Sequence, residues 1–171
     1  GMLYHGHKVV PYCPCCGTPI SSHEMANSYQ SVDDPSIYVR LKATDADESF
    51  LTWTTTPWTL PANTALAVAP EADYVMLKVD DEYIIMATPR LDFAGLTENE
   101  TVAGFRGAEL VDITYEPLFN PHEFGVERRR FSGQGEGGEI PLQEPDANLR
   151  YRAIGADFVS MDDGTGIVHV A

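Results

Sequence analysis

A chain of 171 residues, 43% of them apolar and 22% charged, has the length and composition of one globular domain with a sizeable core. It contains no apolar run long enough to span a membrane and no secretory signal, so we expect a cytoplasmic protein with no membrane segment. The formal net charge of −15, from 11 basic and 26 acidic residues, argues against extensive contacts with nucleic-acid phosphates.

The first 24 residues are predicted to form a leading strand and a tight knuckle. Within them Cys13-x-x-Cys16 has the spacing of half a zinc site, whereas a structural zinc ion needs four ligands. The chain has only three cysteines, so it contains no second pair. We therefore expect a reduced knuckle without metal. The less favoured alternative is zinc bound by Cys13 and Cys16, with His23 as a third ligand.

Short strands follow along the chain. The alternating apolar pattern predicts a strand over residues 36–42, and the next strand, 49–56, carries three successive threonines to its end. Pro57 ends that strand because it lacks a backbone N–H and restricts the residue before it. A short apolar strand over 65–69 and a hairpin over 74–87 come next.

The second half of the chain is less regular. A glycine-broken strand over 102–118 suits a bend at a barrel corner. Residues 119–150 are predicted to form a surface loop or insertion, with contact between Arg128–Arg130 and RNA phosphate as the alternative. Strands over 151–161 and 167–171 close the chain. The whole pattern predicts a mainly β, α+β fold with short helices and a closed or nearly closed sheet.

Uncharged polar groups gather around the end of the second predicted strand. Thr54 and Thr56 share one face of a regular strand and Thr55 points to the other, unless the strand bends. Asn63 adds an amide a short distance on. One interpretation is a threonine-rich edge strand and turn. The functional interpretation is a polar cluster that holds a small substrate without using charge.

Two motifs resemble a known family. The run WTTTPWTLPAN, residues 53–63, together with GTGIVH, residues 164–169, closely resembles the editing domain of isoleucyl-tRNA synthetase. The related valyl and leucyl enzymes have Thr-Arg-Pro at the place where this chain has Thr56-Pro57-Trp58. The resemblance covers nearly the whole chain. It implies one editing domain over residues 1–171, with the closed β-barrel of the valyl, isoleucyl and leucyl enzymes.

The same resemblance implies a function and a set of site residues. The function is hydrolysis of valine wrongly attached to tRNA(Ile), within a larger synthetase that is a ligase, and editing itself requires no cofactor. The implied partners are the tRNA 3′ end and the remainder of the parent synthetase. The implied catalytic residues are Thr54, Thr55, Thr56 and His169. The implied substrate contacts are Trp53, Trp58, Asn63, Gly164, Thr165 and Gly166.

Three further expectations remain open. In the family, an aspartate that anchors the α-ammonium group follows the histidine motif, and this sequence stops at Ala171, so we expect the chain alone to edit weakly or not at all. A module that binds the aminoacylated 3′ end without cleaving it is the main alternative. A purely structural zinc-knuckle domain, resting on Cys13 and Cys16, is the third hypothesis.

Overall fold

The computed structural model of the chain describes residues 6–31, 33–129 and 150–171. The chain divides into two compact units, Gly1–Asp34 and Pro35–Ala171. No helix among the described residues is both long enough and apolar enough to cross a membrane.

The first unit contains the predicted knuckle. Strands β1 (Tyr12–Cys13) and β2 (Thr18–Pro19) pair antiparallel around it, and the short helix α1 (Ser22–Ala26) follows. Helix α1 begins with a capping box, in which Ser21 Oγ accepts from Glu24 N while the Glu24 carboxylate accepts from Ser21 N. These two reciprocal bonds satisfy amide groups that an uncapped helix end would leave unpaired.

The second unit is built mainly from strands. In chain order they are β3 (Ile37–Lys42), β4 (Glu48–Thr54), β5 (Ala65–Val68), β6 (Asp73–Val79), β7 (Glu82–Ala87), β8 (Glu100–Arg106), β9 (Thr114–Tyr115), β10 (Tyr151–Gly155) and β11 (Ile167–Val170). The helical elements are one turn of α-helix, α2 (Gly107–Leu110), and the 3-10 helices Pro57–Ala62, Thr88–Arg90 and Pro121–Phe124. The mainly β fold with short helices is thus confirmed.

The strands form two sheets, and the predicted closed barrel is not found among the described residues. One sheet has five strands in the order β3-β4-β7-β6-β8, and the other has four in the order β11-β5-β10-β9. Within the described part of the chain, one isolated bridge, between Ala43 and Tyr115, links the two sheets. A barrel would also need the outer strands β8 and β11 to pair with each other, and each of them pairs only on its inner side.

The strand predicted over 102–118 is interrupted, because β8 ends at Arg106 and helix α2 follows. Gly107 explains the change of direction. Its N–H donates to Ala72 O at 2.9 Å, and a Cβ at this position would collide with the carbonyl of Ala69. The chain therefore approaches another backbone segment too closely for a strand, or for any larger residue, to continue here.

Part of the predicted loop over 119–150 is described. Residues 130–149, including Arg130, lie outside the described residues. Before them, the guanidinium of Arg128 stacks over the ring of Tyr151 at 3.7 Å, and Arg129 forms an ion pair with Glu127 at 3.0 Å.

The core of the second unit lies on both faces of the five-stranded sheet. The larger cluster packs this sheet against the four-stranded sheet through Leu41, Phe50, Leu66, Tyr74, Tyr115 and Ile167, all almost fully buried. The smaller cluster is on the other face and is formed by Leu51, Val75, Leu77, Ile84 and Met86. Burying apolar surface between the two sheets fixes β4 beside β11, although no ladder joins them.

Candidate functional site

A single cavity of about 340 Å³ in the second unit is lined by the predicted threonines and by the predicted histidine. It lies at the end of β4, next to the neighbouring strand β11. Its lining consists of Trp53, Thr54, Thr55, Thr56, Phe158, Ser160, Asp163, Gly164, Ile167, Val168 and His169. The hydroxyl groups and the imidazole singled out by the sequence therefore line one hollow.

All three threonines line the same hollow because the strand ends among them. Strand β4 ends at Thr54, and Thr56 has φ −121° and ψ 63°, outside the extended region. Pro57 then opens the 3-10 helix Pro57–Ala62. Alternation along an unbroken strand would turn Thr55 away from its two neighbours, and the bend at Thr56 removes that constraint.

A series of hydroxyl contacts joins the threonines to His169. Thr54 Oγ1 is almost buried; it accepts from Thr56 N at 3.0 Å and lies 3.2 Å from Thr56 Oγ1. Thr59 Oγ1 donates to Thr56 O at 2.7 Å and lies 3.4 Å from Thr56 Oγ1. The same Thr59 oxygen contacts His169 Nε2 at 3.0 Å. The hydroxyl of Thr55 has no hydrogen bond to any described residue, so it remains able to bind a ligand.

The tautomer of His169 follows from its contact with Thr59. A hydroxyl carries one hydrogen, and Thr59 gives its hydrogen to Thr56 O. Thr59 Oγ1 therefore accepts from His169 Nε2, which places the imidazole proton on Nε2. His169 Nδ1 is then the unprotonated nitrogen, and it is buried without a hydrogen-bond partner among the described residues.

The same surroundings keep His169 uncharged. Burial lowers the pKa of His169 below its ordinary value, because desolvation penalises the charged form. Protonation would also create a buried N–H at Nδ1 that has no acceptor among the described residues. The cavity thus presents hydroxyl groups and a neutral imidazole, and Asp163 is the only carboxylate among its described lining residues.

Asn63 lies outside the cavity lining and is fully engaged by the protein. Its amide nitrogen donates to Ala65 O at 2.9 Å and to Val170 O at 3.3 Å. Its oxygen accepts from the buried hydroxyl of Tyr115 at 2.6 Å. In this structure Asn63 therefore fastens the end of the 3-10 helix to the residue that follows His169, which is a supporting position.

The two tryptophans occupy different environments. Trp53 is half-buried and lines the cavity, whereas Trp58 is outside the lining and 74% exposed. The structure thus brings Trp53, but not Trp58, to the hollow.

The turn at residues 164–166 needs its two glycines. Gly164 has φ 61° and Gly166 has φ 73°, in the left-handed region that favours glycine. A Cβ at Gly164 would lie 3.1 Å from the Trp53 ring, and a Cβ at Gly166 would collide with Ala87. Between them Thr165 is buried outside the cavity lining, and its carbonyl accepts from Ala87 N at 3.0 Å. The turn is therefore packed directly against the cavity wall.

Comparison with known proteins gives relatives that match along the whole chain. The chain is 43% identical over 189 residues to isoleucine–tRNA ligase of Dehalococcoides mccartyi, and the match covers 100% of this chain. It is 41% identical over 171 residues to isoleucine–tRNA ligase of Clostridium kluyveri, with 99% of this chain covered. The chain is homologous over its length to one segment of isoleucine–tRNA ligases. No family model matches it.

The chain spans only 18% and 14% of the lengths of these two ligases. Its fold is similar to the crystal structure of GlLeuRS-CP1, with a TM-score of 0.56 and 18% sequence identity. That similarity covers 79% of this chain and 54% of the other. At so low an identity, the structural similarity shows a common fold and nothing finer.

Sequence reasoning missed several residues that line or adjoin the candidate cavity. Thr59 links Thr56 to His169, and its position three residues after Thr56 is the spacing that brings side chains together in a 3-10 helix. Predicting the 3-10 helix would therefore have identified Thr59. Phe158, Ser160 and Asp163 reach the cavity from irregular backbone after β10, and no periodic pattern identifies such positions.

The three cysteines lie in the first unit, Gly1–Asp34. The Cys13 sulfur accepts from Cys16 N at 3.3 Å. This hydrogen bond is the main cause that lowers the pKa of the Cys13 thiol. Across residues 6–31, 33–129 and 150–171, no three His, Cys, Asp or Glu side chains are grouped so that they could hold a metal ion. The described residues thus supply half of the four-ligand set that a structural zinc ion requires.

Proposed function

We propose that this chain is the segment of an isoleucyl-tRNA synthetase that hydrolyses valine wrongly esterified to tRNA(Ile). One observation carries the proposal. The hydroxyl groups of Thr54, Thr55 and Thr56 and the neutral imidazole of His169 line the same cavity of about 340 Å³. The homology to isoleucine–tRNA ligases, which extends along the whole of this chain, suggests a substrate class for the cavity. Such enzymes join an amino acid to tRNA by an ester bond.

The reaction asks little of the protein. A water oxygen attacks the ester carbonyl carbon, the bond to the ribose oxygen breaks, and valine and uncharged tRNA are released. The ester is already activated, so placing the water contributes more than a strong nucleophile would. Thr55 brings a hydroxyl that no described residue engages. His169 brings an uncharged ring whose Nε2–H is held by Thr59.

Selectivity in this proposal comes from size. A binding pocket rejects a substrate that lacks one methylene by only about 1–3 kcal/mol, a limit for which isoleucyl-tRNA synthetase is itself the standard example. A synthetic site built for isoleucine therefore admits valine. A second cavity that accepts valine and excludes the larger isoleucine corrects the error. The Trp53 ring and the Gly164 turn, which are packed together, form the rigid wall that such exclusion needs.

The broader setting belongs to the same proposal. The segment acts within an ATP-dependent synthetase of the cytoplasm, and its partners are the 3′ end of tRNA(Ile) and the remainder of that enzyme. The net charge of −15 supports a limited contact, in which the cavity receives the tRNA end and other parts of the synthetase bind the phosphates of the tRNA body.

Substitutions in the cavity test the assignment. We expect Thr55→Ala and His169→Ala each to slow hydrolysis of valyl-tRNA(Ile) by about tenfold to a hundredfold, because the water and the ester lose a positioning group. Rates are measured with the chain itself and with a D. mccartyi isoleucine–tRNA ligase in which this chain replaces the matched segment.

Thr101→Ala is the matched control, since this exposed threonine of β8 is outside the cavity lining. Circular dichroism checks that every variant is folded. Unchanged rates in both cavity variants would remove these residues from the site. If the folded ligase that carries the wild-type chain binds valyl-tRNA and leaves its ester intact, the non-cleaving binding module is favoured instead.

A further inference from the structure

Arg90 contacts the cavity wall from behind. It is the last residue of the 3-10 helix Thr88–Arg90, its side chain is half-buried, and it is absent from the cavity lining. Its Nε–H donates to Gly164 O at 3.0 Å. The carbonyl of Gly164 precedes the buried Thr165, so this bond holds the turn that forms one side of the cavity.

The same guanidinium also supports a second part of the cavity wall, the Trp53 ring, through Phe93. It lies over the ring of Phe93 with 4.6 Å from Cζ to the ring centroid. The Phe93 ring meets Trp53 edge-on, with centroids 5.6 Å apart and planes at 87°. Tyr38 anchors Phe93 in turn, because its hydroxyl donates to Phe93 O at 3.2 Å. A continuous set of contacts thus runs from Arg90 through Phe93 to Trp53.

The two parts of the wall that Arg90 supports, the Gly164 turn and the Trp53 ring, are in contact with each other. Gly164 lies so close to Trp53 that a Cβ on the glycine would be 3.1 Å from the ring. Because protein interiors are close-packed, a shift of either Trp53 or Gly164 changes the shape of the adjacent cavity. Both Trp53 and Gly164 line the cavity, whereas Arg90 and Phe93 do not.

We propose that Arg90 is a positioning residue that sets the size limit for the amino acid in the cavity by holding the Gly164 turn and the Trp53 ring together. This inference rests on the function proposed above and adds to it a residue outside the cavity. The role requires a guanidinium, which donates along a fixed direction in its plane while its face stacks on an aromatic ring. A lysine ammonium has the charge without that geometry.

Two substitutions separate geometry from charge. In Arg90→Lys and in Arg90→Met, we expect the ratio of valyl-tRNA to isoleucyl-tRNA hydrolysis to fall by about tenfold, because a looser wall admits the larger side chain. Arg152→Met is the matched control, since Arg152 forms an exposed ion pair with Asp112 and is outside the cavity lining. A wild-type ratio of valyl-tRNA to isoleucyl-tRNA hydrolysis in both Arg90 variants would overturn the proposal. A wild-type ratio in Arg90→Lys alone would also overturn it, because charge without the guanidinium geometry would then be enough.

A second readout does not depend on catalysis. The chain has only two tryptophans, so Trp58→Phe leaves Trp53 as the only indole. In that background we expect Arg90→Lys and Arg90→Met to make Trp53 fluorescence more accessible to acrylamide, whereas Arg152→Met does not. Equal quenching in all three variants would overturn the positioning role.

Two checks keep the proposal open to refutation. Phe93→Leu removes the ring between Arg90 and Trp53 without touching the guanidinium, and we expect the same loss of the valyl-to-isoleucyl ratio in this variant if an Arg90 variant does not fold. If the folded ligase that carries the wild-type chain in place of its matched segment hydrolyses neither ester, the proposed function fails and the size limit fails with it. The quenching experiment then still decides whether Arg90 holds the wall.

Discussion

Thr59 shows how one unremarkable hydroxyl can define the state of a site. Its hydrogen goes to Thr56 O, so its oxygen must accept from His169 Nε2 and thereby selects one imidazole tautomer. The other ring nitrogen is buried without a partner among the described residues, and burial lowers the pKa of His169. An uncharged histidine in a fixed orientation is the consequence.

Replacing Thr59 tests whether that orientation contributes to hydrolysis. Thr59→Val keeps the branched shape and removes the acceptor, and we expect valyl-tRNA hydrolysis at pH 7 to slow by about tenfold because His169 loses its orienting bond. Thr59→Ser keeps the hydroxyl and should retain a rate near that of the wild type. Initial rates with valyl-tRNA(Ile) measure both. A wild-type rate in Thr59→Val would show that the Thr59 oxygen does not contribute, and equal loss in the two variants would show that keeping the hydroxyl is not enough to hold His169.

The turn at residues 164–166 depends on contacts from several elements. Tyr74, on β6, is almost fully buried; its hydroxyl donates to Gly166 O at 2.7 Å and accepts from Ala69 N at 2.9 Å. Burial raises the pKa of Tyr74, so the hydroxyl keeps its proton and remains a donor. One side chain thus joins the five-stranded sheet both to the glycine turn and to the backbone after β5.

Removing that hydroxyl should weaken the fold measurably. Tyr74→Phe leaves the partly buried N–H of Ala69 and the buried carbonyl of Gly166 without this partner, and we expect the free energy of unfolding to fall by about 1–3 kcal/mol. Tyr83→Phe is the control, since the hydroxyl of this tyrosine on β7 has no hydrogen bond to any described residue, and its change should stay within about 0.5 kcal/mol. Urea unfolding measures both. Equal stability of the two variants would show that the Tyr74 bonds contribute nothing.

Strand alternation predicted the elements that carry the site better than it predicted their ends. Strand β3 is visible in the sequence because its buried residues alternate with exposed ones. The hairpin of β6 and β7 is visible because both of its strands are apolar and largely buried. The bend at Thr56 has local causes, namely Pro57 and the bond from Thr56 N to Thr54 Oγ1. The helix at Gly107 is instead set by contacts with the distant Ala69 and Ala72, which periodicity cannot show. The same limit applies to the sheets, because pairing at their outer edges depends on non-local contacts.

The site itself was only partly visible in the sequence. Thr54–Thr56, Trp53, Gly164 and His169 line the cavity, and the family motifs had singled out all of them. Trp58 lies within the 3-10 helix and faces solvent, whereas Asn63, at the end of that helix, donates to backbone carbonyls. The family motifs identified the segments that form the cavity, whereas only the fold showed which side chains of those segments point into it.

At the scale of the whole molecule, the acidic composition and the small share of the ligase that the chain spans both fit the proposal that it contacts only the end of a tRNA. The chain carries 26 acidic and 11 basic residues, and it spans 18% of the D. mccartyi ligase to which it is similar along its length. Since phosphate binding relies on basic residues, the proposed function confines recognition to a small cavity that receives the end of a tRNA. The amino acid, more than the nucleic acid, is then what the segment distinguishes.

The central claim is that this cavity hydrolyses the valyl ester of tRNA(Ile) and spares the isoleucyl ester. The most direct test compares initial hydrolysis rates of the two esters on the same tRNA, using the ligase that carries this chain in place of its matched segment. We expect valyl-tRNA to be hydrolysed at least about tenfold faster than isoleucyl-tRNA, the discrimination that one methylene allows. Equal rates for the two esters, or no hydrolysis of either beyond the buffer rate, would contradict the account.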